Sequence, residues 1–141
     1  MANISVSIIV YQAEPLDYWW TRHTALWLQF SNGSPSTLVH IVGPTGGFSF
    51  EHREVLEPWQ SQSFAKRVDV GVLSRPATAA QTIAALRSVP IRNDDREFDC
   101  QTWVTAALDM LRGYSLISNE MHAAGVDGMV DALYEARDTE G

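Results

Sequence analysis

Three side chains, Cys100, His23 and His40, have the types that a cysteine-dependent catalyst needs. A cysteine nucleophile requires a base that takes its proton and a third group that holds the base in the correct tautomer. We therefore predict Cys100 as nucleophile, His23 as base and His40 as the group that orients His23. The chemistry would be attack of a thiolate on an acyl carbon, followed by transfer of the acyl group to water or an amine.

Cys100, the only cysteine, is predicted to begin a helix, because apolar residues recur after it at helical spacing. Asp99 is the predicted N-cap, and Gly113 is predicted to follow the last helical turn. Unpaired N–H groups and the helix dipole at the first turn would favour the thiolate. A lone cysteine is more often a small buried apolar residue, so this alternative stays open.

Two predicted strands carry the histidines. Residues His23 to Phe30 and Thr37 to Val42 have strand composition, and the turn sequence SNGSPS between them predicts a hairpin. Because His23 lies near the start of the first strand and His40 near the end of the second, antiparallel pairing brings both imidazoles to one end of the ladder. Whether they share a face depends on the register.

The remaining pattern predicts an α+β fold, a small antiparallel sheet packed against helices, in a single domain over residues 1–141. A strand is expected at Ile4 to Tyr11 and one or two more in residues 48–74. A helix is expected at Thr78 to Val89, where TAAQ is a capping pattern. A loop over residues 114–128 is expected to lead to a last helix near Gly128 to Arg137. The residues of this last helix that we expect to face inward are Met129, Val130, Leu133 and Ala136.

Aromatic residues cluster at Tyr18, Trp19 and Trp20 in a predicted loop. Such a cluster either anchors a loop to the core or forms one wall of a substrate groove, because amphipathic rings are common in ligand sites. We predict these three residues, together with Trp103, as substrate-binding residues.

Cys100, His23 and His40 also form a ligand set used by zinc hydrolases. Each of them comes from a separate element, and no short-range pair fixes a coordination geometry, so we predict neither a metal nor another cofactor. The other two histidines, His52 and His122, are predicted to lie at the surface.

Composition excludes several classes of function. The chain has a formal net charge of -7 at pH 7, and its ten Lys and Arg are scattered singly, so neither nucleic acid nor an anionic membrane surface is an expected partner. We find no apolar run of about 18 residues and no basic amino-terminal region, so neither a membrane span nor a secretory signal is expected. One cysteine fits a reducing compartment, and we expect a cytoplasmic protein. The expected partner is a small-molecule or peptide acyl substrate, while the oligomeric state is not predicted.

The sequence resembles the circularly permuted papain-like (NlpC-type) superfamily of thiol hydrolases and acyltransferases. The resemblance is carried by the run from His23 to Leu28, by His40 on the next strand, and by Asp99-Cys100 with Trp103 three positions later. The lecithin:retinol acyltransferase-like branch is similar in having a histidine on each of two successive strands before an Asn-Cys helix. The PPPDE branch, which includes isopeptidases, is similar in its Val-Tyr strand and His-Thr pair.

This resemblance implies a permuted papain-like fold with a Cys-His-His centre that acts on an amide, ester or thioester through a covalent acyl-enzyme. Asp99 departs from the asparagine that these families mostly have before the cysteine. Its negative charge would oppose the effect of the helix dipole on the pKa of Cys100. The alternative is a catalytically inactive binding module of the same fold, whose tryptophan-rich loop grips a partner.

Overall fold

The computed structural model describes residues 1–138, and its centre is a five-stranded antiparallel sheet. The strands are β1 (Ile4–Tyr11), β2 (His23–Phe30), β3 (Thr37–Val42), β4 (Ser49–Glu54) and β5 (Phe64–Val72). The helices are α1 (Ala79–Arg87), α2 (Cys100–Gly113) and α3 (Asn119–Tyr134), and a short 3-10 turn covers Pro58–Gln60. This architecture confirms the predicted α+β class, and β1, β2 and β3 have the predicted bounds.

The sheet order is β4-β3-β2-β1-β5, with every neighbouring pair antiparallel. Helix α2 lies against β2 and β3, and α3 lies against β5 and β1. The predicted hairpin of β2 and β3 is therefore at the middle of the sheet, next to the helix that begins at Cys100.

The two faces of the sheet bury separate groups of side chains, because successive residues of a strand point in opposite directions. On β2, Leu26 and Leu28 belong to the main core that the sheet shares with the helices, whereas Ala25 and Trp27 belong to a smaller cluster on the other face. The loop after β4 covers this smaller cluster, where Trp59 packs edge-on against Trp27 at 5.7 Å between ring centroids. The face that each histidine occupies therefore decides what it can reach.

The caps of α1 and α2 follow the sequence prediction at their amino ends. Thr78 and Gln81 form the predicted capping box of α1, and Asp99 Oδ1 accepts a hydrogen bond from the Thr102 N–H at 2.9 Å. The predicted end of α2 is wrong, because Gly113 is its last helical residue. The positive φ of 59° falls on Ser115.

Helix α3 begins at Asn119, so the predicted loop is wrong from that point on and the predicted start at Gly128 is nine residues late. Ser118 caps the helix by accepting a hydrogen bond from the Met121 N–H at 3.1 Å. Gly128, which favours a loop in the sequence, lets the helix approach β5 closely, since an added Cβ would lie 2.6 Å from Val68 Cγ1.

The inward face predicted for the last helix is partly wrong. Met129 and Leu133 are buried as predicted, but Val130 is 37% exposed and Ala136 lies beyond the end of α3. The helix is placed by its close contact with β5, and this contact sets which stripe it buries.

Candidate functional site

His23 and His40 lie on the same face of the sheet and are in contact. Trp27 pairs with Leu38 in the β2–β3 register, and alternation from this pair puts both imidazoles on the face of the smaller cluster. His23 Nε2 lies 2.7 Å from His40 Nδ1. The contact between the two imidazoles that we predicted is therefore present.

The two histidines belong to a row of polar side chains that crosses four strands. Tyr11 pairs with His23 in register, with 5.9 Å between their ring centroids, and His40 pairs with Glu51. His40 Nε2 lies 2.8 Å from Glu51 Oε1. We call Tyr11, His23, His40 and Glu51 the histidine row. Sequence reasoning missed Tyr11 and Glu51, because only the strand register shows that they stand opposite the histidines.

The contacts within the row assign its protons when Glu51 is ionised and both imidazoles are neutral. His40 then donates from Nε2 to the Glu51 carboxylate, which leaves His40 Nδ1 as an acceptor. His23 must donate from Nε2 to that atom, so its own lone pair is on Nδ1. The two imidazoles and the Glu51 carboxylate thus bond to one another, and the remaining imidazole acceptor is the lone pair on Nδ1 of His23.

Burial sets the charge of the row. Desolvation, followed by the nearby His40 and Arg53, lowers the pKa of His23 from 6.5 to about 4, against a smaller opposing effect of Glu51. Burial also lowers the pKa of His40, although its hydrogen bond to Glu51 works in the other direction. Both imidazoles are therefore neutral near pH 7, and neither supplies an imidazolium to pair with a thiolate.

Cys100 lies on the opposite side of the sheet from the histidine row. Its side chain packs against the main core, and its Sγ donates towards the Arg22 carbonyl oxygen at 3.7 Å. His23 follows Arg22 in the sequence, but its ring points to the other face of the sheet. Within residues 1–138, no hydrogen bond joins Cys100 to His23 or His40, so the expected Cys-His-His contact is not formed.

The surroundings of the sulfur favour the thiol. Burial raises the pKa of Cys100, hydrogen bonding from the Thr24 backbone lowers it, and the adjacent Asp99 carboxylate raises it again. The net direction is upward, so the prediction that the helix terminus favours a thiolate is wrong. The position at the first turn cannot offset the loss of water around the sulfur.

An open groove of about 590 Å³ lies where α2, α3 and the loop between β1 and β2 meet. We call it the aromatic groove, because its exposed wall is made of Trp19, Trp20 and Tyr134. Val130, which is 37% exposed, contributes apolar surface to it. The groove places two of the predicted substrate-binding residues, Trp19 and Trp20, along one cleft.

A buried ion pair holds the loop that carries these tryptophans. Asp17 is fully buried, and its carboxylate accepts hydrogen bonds from Arg22 Nε at 2.9 Å and Arg22 Nη2 at 2.7 Å. Arg22 Nη1 also donates to the Ala132 carbonyl oxygen on α3 at 2.9 Å, and the Arg137 N–H donates to Asp17 Oδ2 at 3.0 Å. The loop is thus fixed both to α3 and to the segment that follows it.

The amino end of α2 fixes the other side of the same loop. Gln101 Nε2 donates to the carbonyl oxygens of Trp19 at 2.8 Å and Arg22 at 3.1 Å. The aromatic wall is therefore held in a defined position although its rings are exposed.

The two other predicted substrate-binding residues do not line the groove. Trp103 is 0% exposed and packs against Phe50 at 6.0 Å between ring centroids, so its predicted contact with substrate is wrong in this structure. It faces inward because it lies on the apolar stripe of α2 that covers the sheet. Tyr18 stacks on Trp20 at 4.5 Å between ring centroids and supports the wall from behind.

The remaining histidines differ from each other. His52 is exposed on β4, as predicted. His122 is more covered than predicted, because its side chain is 13% exposed and Nε2 lies 2.6 Å from Asp109 Oδ1.

Over residues 1–138, no group of three or more His, Cys, Asp or Glu side chains is placed to bind a metal ion. In the same range, no helix has both the length and the apolar character required to span a bilayer.

Residues 7–118 match a protein family of unknown function, DUF6540. The chain belongs to the DUF6540 family. The DUF6540 match includes the histidine row, Cys100 and the tryptophan loop, whereas α3 and its part of the aromatic groove lie beyond it. No curated protein and no solved structure matches the chain.

Proposed function

We propose that this chain is a non-catalytic binding module whose aromatic groove holds a segment of a partner. The observation that carries the proposal is the exposure of Trp19 and Trp20, 43% and 38%, on a loop that a buried ion pair fixes in place. Large aromatic side chains contribute strongly to binding surfaces when their position is fixed before binding, because less conformational entropy is lost.

The position of the sulfur supports a binding role over acyl transfer. A thiol nucleophile needs its base within hydrogen-bonding reach, and here Cys100 and the neutral imidazole of His23 lie on opposite faces of the sheet. Burial also raises the pKa of Cys100, which favours the thiol. Both observations support a role other than acyl transfer for these residues.

We further propose that the domain is a permuted papain-like fold without the thiol centre. The order of its elements supports this, since two histidine-bearing strands precede the helix that begins with the cysteine. For its location we propose the cytoplasm, because the single cysteine suits a reducing compartment.

Selection of short random peptides displayed on phage tests the binding role. The wild-type domain should enrich peptides that lose binding when Trp19→Ser and Trp20→Ser are introduced together. The variant should first be shown to keep the wild-type circular dichroism spectrum. Enriched peptides that bind the wild type and the variant equally well would place binding elsewhere and refute the role of the groove.

A separate assay addresses the chemistry. An electrophilic acyl probe should label Cys100 slowly and to the same extent in wild type and in His23→Ala. Rapid labelling that requires His23 would restore the thiol enzyme and overturn the non-catalytic part of the proposal.

A further inference from the structure

The aromatic groove presents ring faces at several angles. Trp19 is edge-on to Trp20, with 5.6 Å between ring centroids and an interplanar angle of 82°. Trp19 is also tilted by 43° to Tyr134 at 5.9 Å. A cation is attracted to the negative face of such rings when it lies within about 6 Å of the centroid, most strongly for tryptophan. The wall therefore offers a surface that suits a positive charge as well as an apolar group.

The charged side chains that line the groove are all acidic. They are Glu97, Asp99 and Asp109. Asp109 is already paired, since its carboxylate contacts His122 at 2.6 Å and Arg112 at 3.5 Å. Glu97 and Asp99 are in no ion pair within residues 1–138. Two carboxylates therefore face the groove without a positive partner from the described chain.

Asp99 keeps part of its carboxylate available while it caps α2. Its Oδ1 accepts hydrogen bonds from the Thr102 N–H at 2.9 Å and from Thr102 Oγ1 at 3.0 Å. No protein donor within residues 1–138 bonds to Oδ2 of Asp99. The cap thus fixes the position of the side chain but leaves an oxygen that can accept from a ligand.

We infer that the aromatic groove binds a basic peptide segment of a partner protein. An arginine or lysine side chain of this segment lies against Trp19 and Tyr134, and its charge is met by Glu97 and Asp99. The methylene stem of such a side chain suits the apolar surface that Val130 provides, because long basic side chains bury the stem and keep the charge in contact with polar groups. This inference rests on the proposed binding function and adds the chemistry of the partner.

The open form of the groove and the charge of the domain support a basic peptide. The cleft runs between two helices and a loop and is open to solvent, which suits an extended chain. The formal net charge of -7 repels nucleic acid and attracts a basic segment, so association is expected to weaken as salt rises.

Two synthetic peptide pools of equal length test the inference. One pool has a central lysine or arginine, and the other has norleucine or citrulline at the same position, so that only the charge differs. Fluorescence polarisation of the labelled pools measures binding to the folded domain. We expect the basic pool to bind wild type about tenfold more tightly than the neutral pool.

Matched variants assign the effect to the carboxylates. Glu97→Gln with Asp99→Asn should remove the tenfold preference, and asparagine keeps the helix cap because it is as good an N-cap as aspartate. Glu54→Gln, which removes one exposed charge on β4, should leave the preference unchanged. Trp19→Ser with Trp20→Ser should abolish binding of the basic pool.

The outcomes separate this inference from the proposed function. If both pools bind equally and both lose binding in the tryptophan variant, the groove binds peptides but the basic partner is wrong. If the basic pool binds the tryptophan variant as well as wild type, the attraction is non-specific and both the inference and the groove are refuted. If neither pool binds wild type, the inference also fails, whereas peptides enriched from the phage library would still support the groove.

Discussion

The histidine row and the aromatic groove differ in what their functional groups contact. In the row, the imidazoles and the Glu51 carboxylate bond to one another, and His40 is almost fully buried. In the groove, the rings of Trp19 and Trp20 are exposed, and the carboxylate of Glu97 has no positive partner within residues 1–138. The imidazoles of the row are paired with each other and with Glu51, whereas the groove has exposed rings and a carboxylate without a positive partner in the described residues. The groove therefore offers more contacts to a ligand than the residue types that are typical of catalysis.

A large loss of stability should come from breaking the ion pair that holds the groove. Asp17→Ala leaves Arg22 buried without its partner, and we expect a loss of about 3 to 5 kcal/mol in the free energy of unfolding. Urea denaturation measures it. Lys66→Ala removes an exposed pair with Glu135 at 3.4 Å and should cost no more than about 1 kcal/mol. Equal losses of unfolding free energy in the two variants would show that the buried Asp17–Arg22 pair does not stabilise the loop.

The histidine row should make stability depend on pH. Because the folded-state pKa of His23 is lowered to about 4, the unfolded chain binds a proton below pH 6.5 that the folded chain excludes. The free energy of unfolding should therefore fall as the pH drops from 6.5 towards 4, by something of the order of 2 kcal/mol.

Two histidine variants check the origin of this pH dependence. Below about pH 4.5 Glu51 adds to it in the same direction, since its hydrogen bond from His40 lowers the carboxyl pKa. His23→Gln should flatten the slope, and denaturation series at several pH values measure this. His52→Gln, on the exposed side of β4, should keep the wild-type slope. An unchanged slope in His23→Gln would mean that the row is not what responds to acid.

A tryptophan of the aromatic groove and a tryptophan beside the histidine row should differ in their contribution to stability. Trp19→Ala, at a 43% exposed position, should cost about 1 kcal/mol, whereas Trp27→Ala beside the histidine row should cost about 3 to 5 kcal/mol because that side chain is buried. Thermal or chemical denaturation gives both values. A large loss for Trp19→Ala would make it a structural anchor and weaken the comparison.

The smallest effect is expected at the sulfur. The pH midpoint for alkylation of Cys100 by iodoacetamide should lie above the ordinary thiol value of about 8.5, because burial raises its pKa. His23→Gln should not move this midpoint, since its ring is on the other face. A midpoint well below the ordinary value that rises in His23→Gln would instead indicate a thiolate–imidazolium pair.

Most of the fold could be predicted because local patterns and tertiary packing agree. The β-branched run from Ile4 and the hairpin turn fix three strands, and the capping pattern at Thr78 fixes the start of α1. The first half of α3 could not be predicted, because Gly125 and Gly128 read as loop residues. Glycine is needed at these helical positions because Val68 and Val70 on β5 approach the helix closely, and only the assembled fold shows this contact.

The prediction that Cys100 and His23 are in contact was wrong for a different physical reason. His23 and Thr24 must point to opposite faces, and this was visible in the sequence. Both faces of β2 are buried, however, so its hydrophobic pattern does not tell which face α2 covers. The contact between His23 and His40 can be predicted from the hairpin register alone. A contact between His23 and Cys100 can be predicted only when it is also known which face of the sheet α2 covers.

The bonds between Asp17 and the segment after α3 make the loop between β1 and β2 depend on a distant part of the sequence. The Asp17 N–H donates to Asp138 Oδ2 at 2.7 Å across 121 positions of sequence. A shortened chain ending at Tyr134 would lose this bond and the Arg137 contacts while keeping every strand. The loop that carries Trp19 and Trp20 should then become sensitive to proteases, whereas the sheet should still assemble.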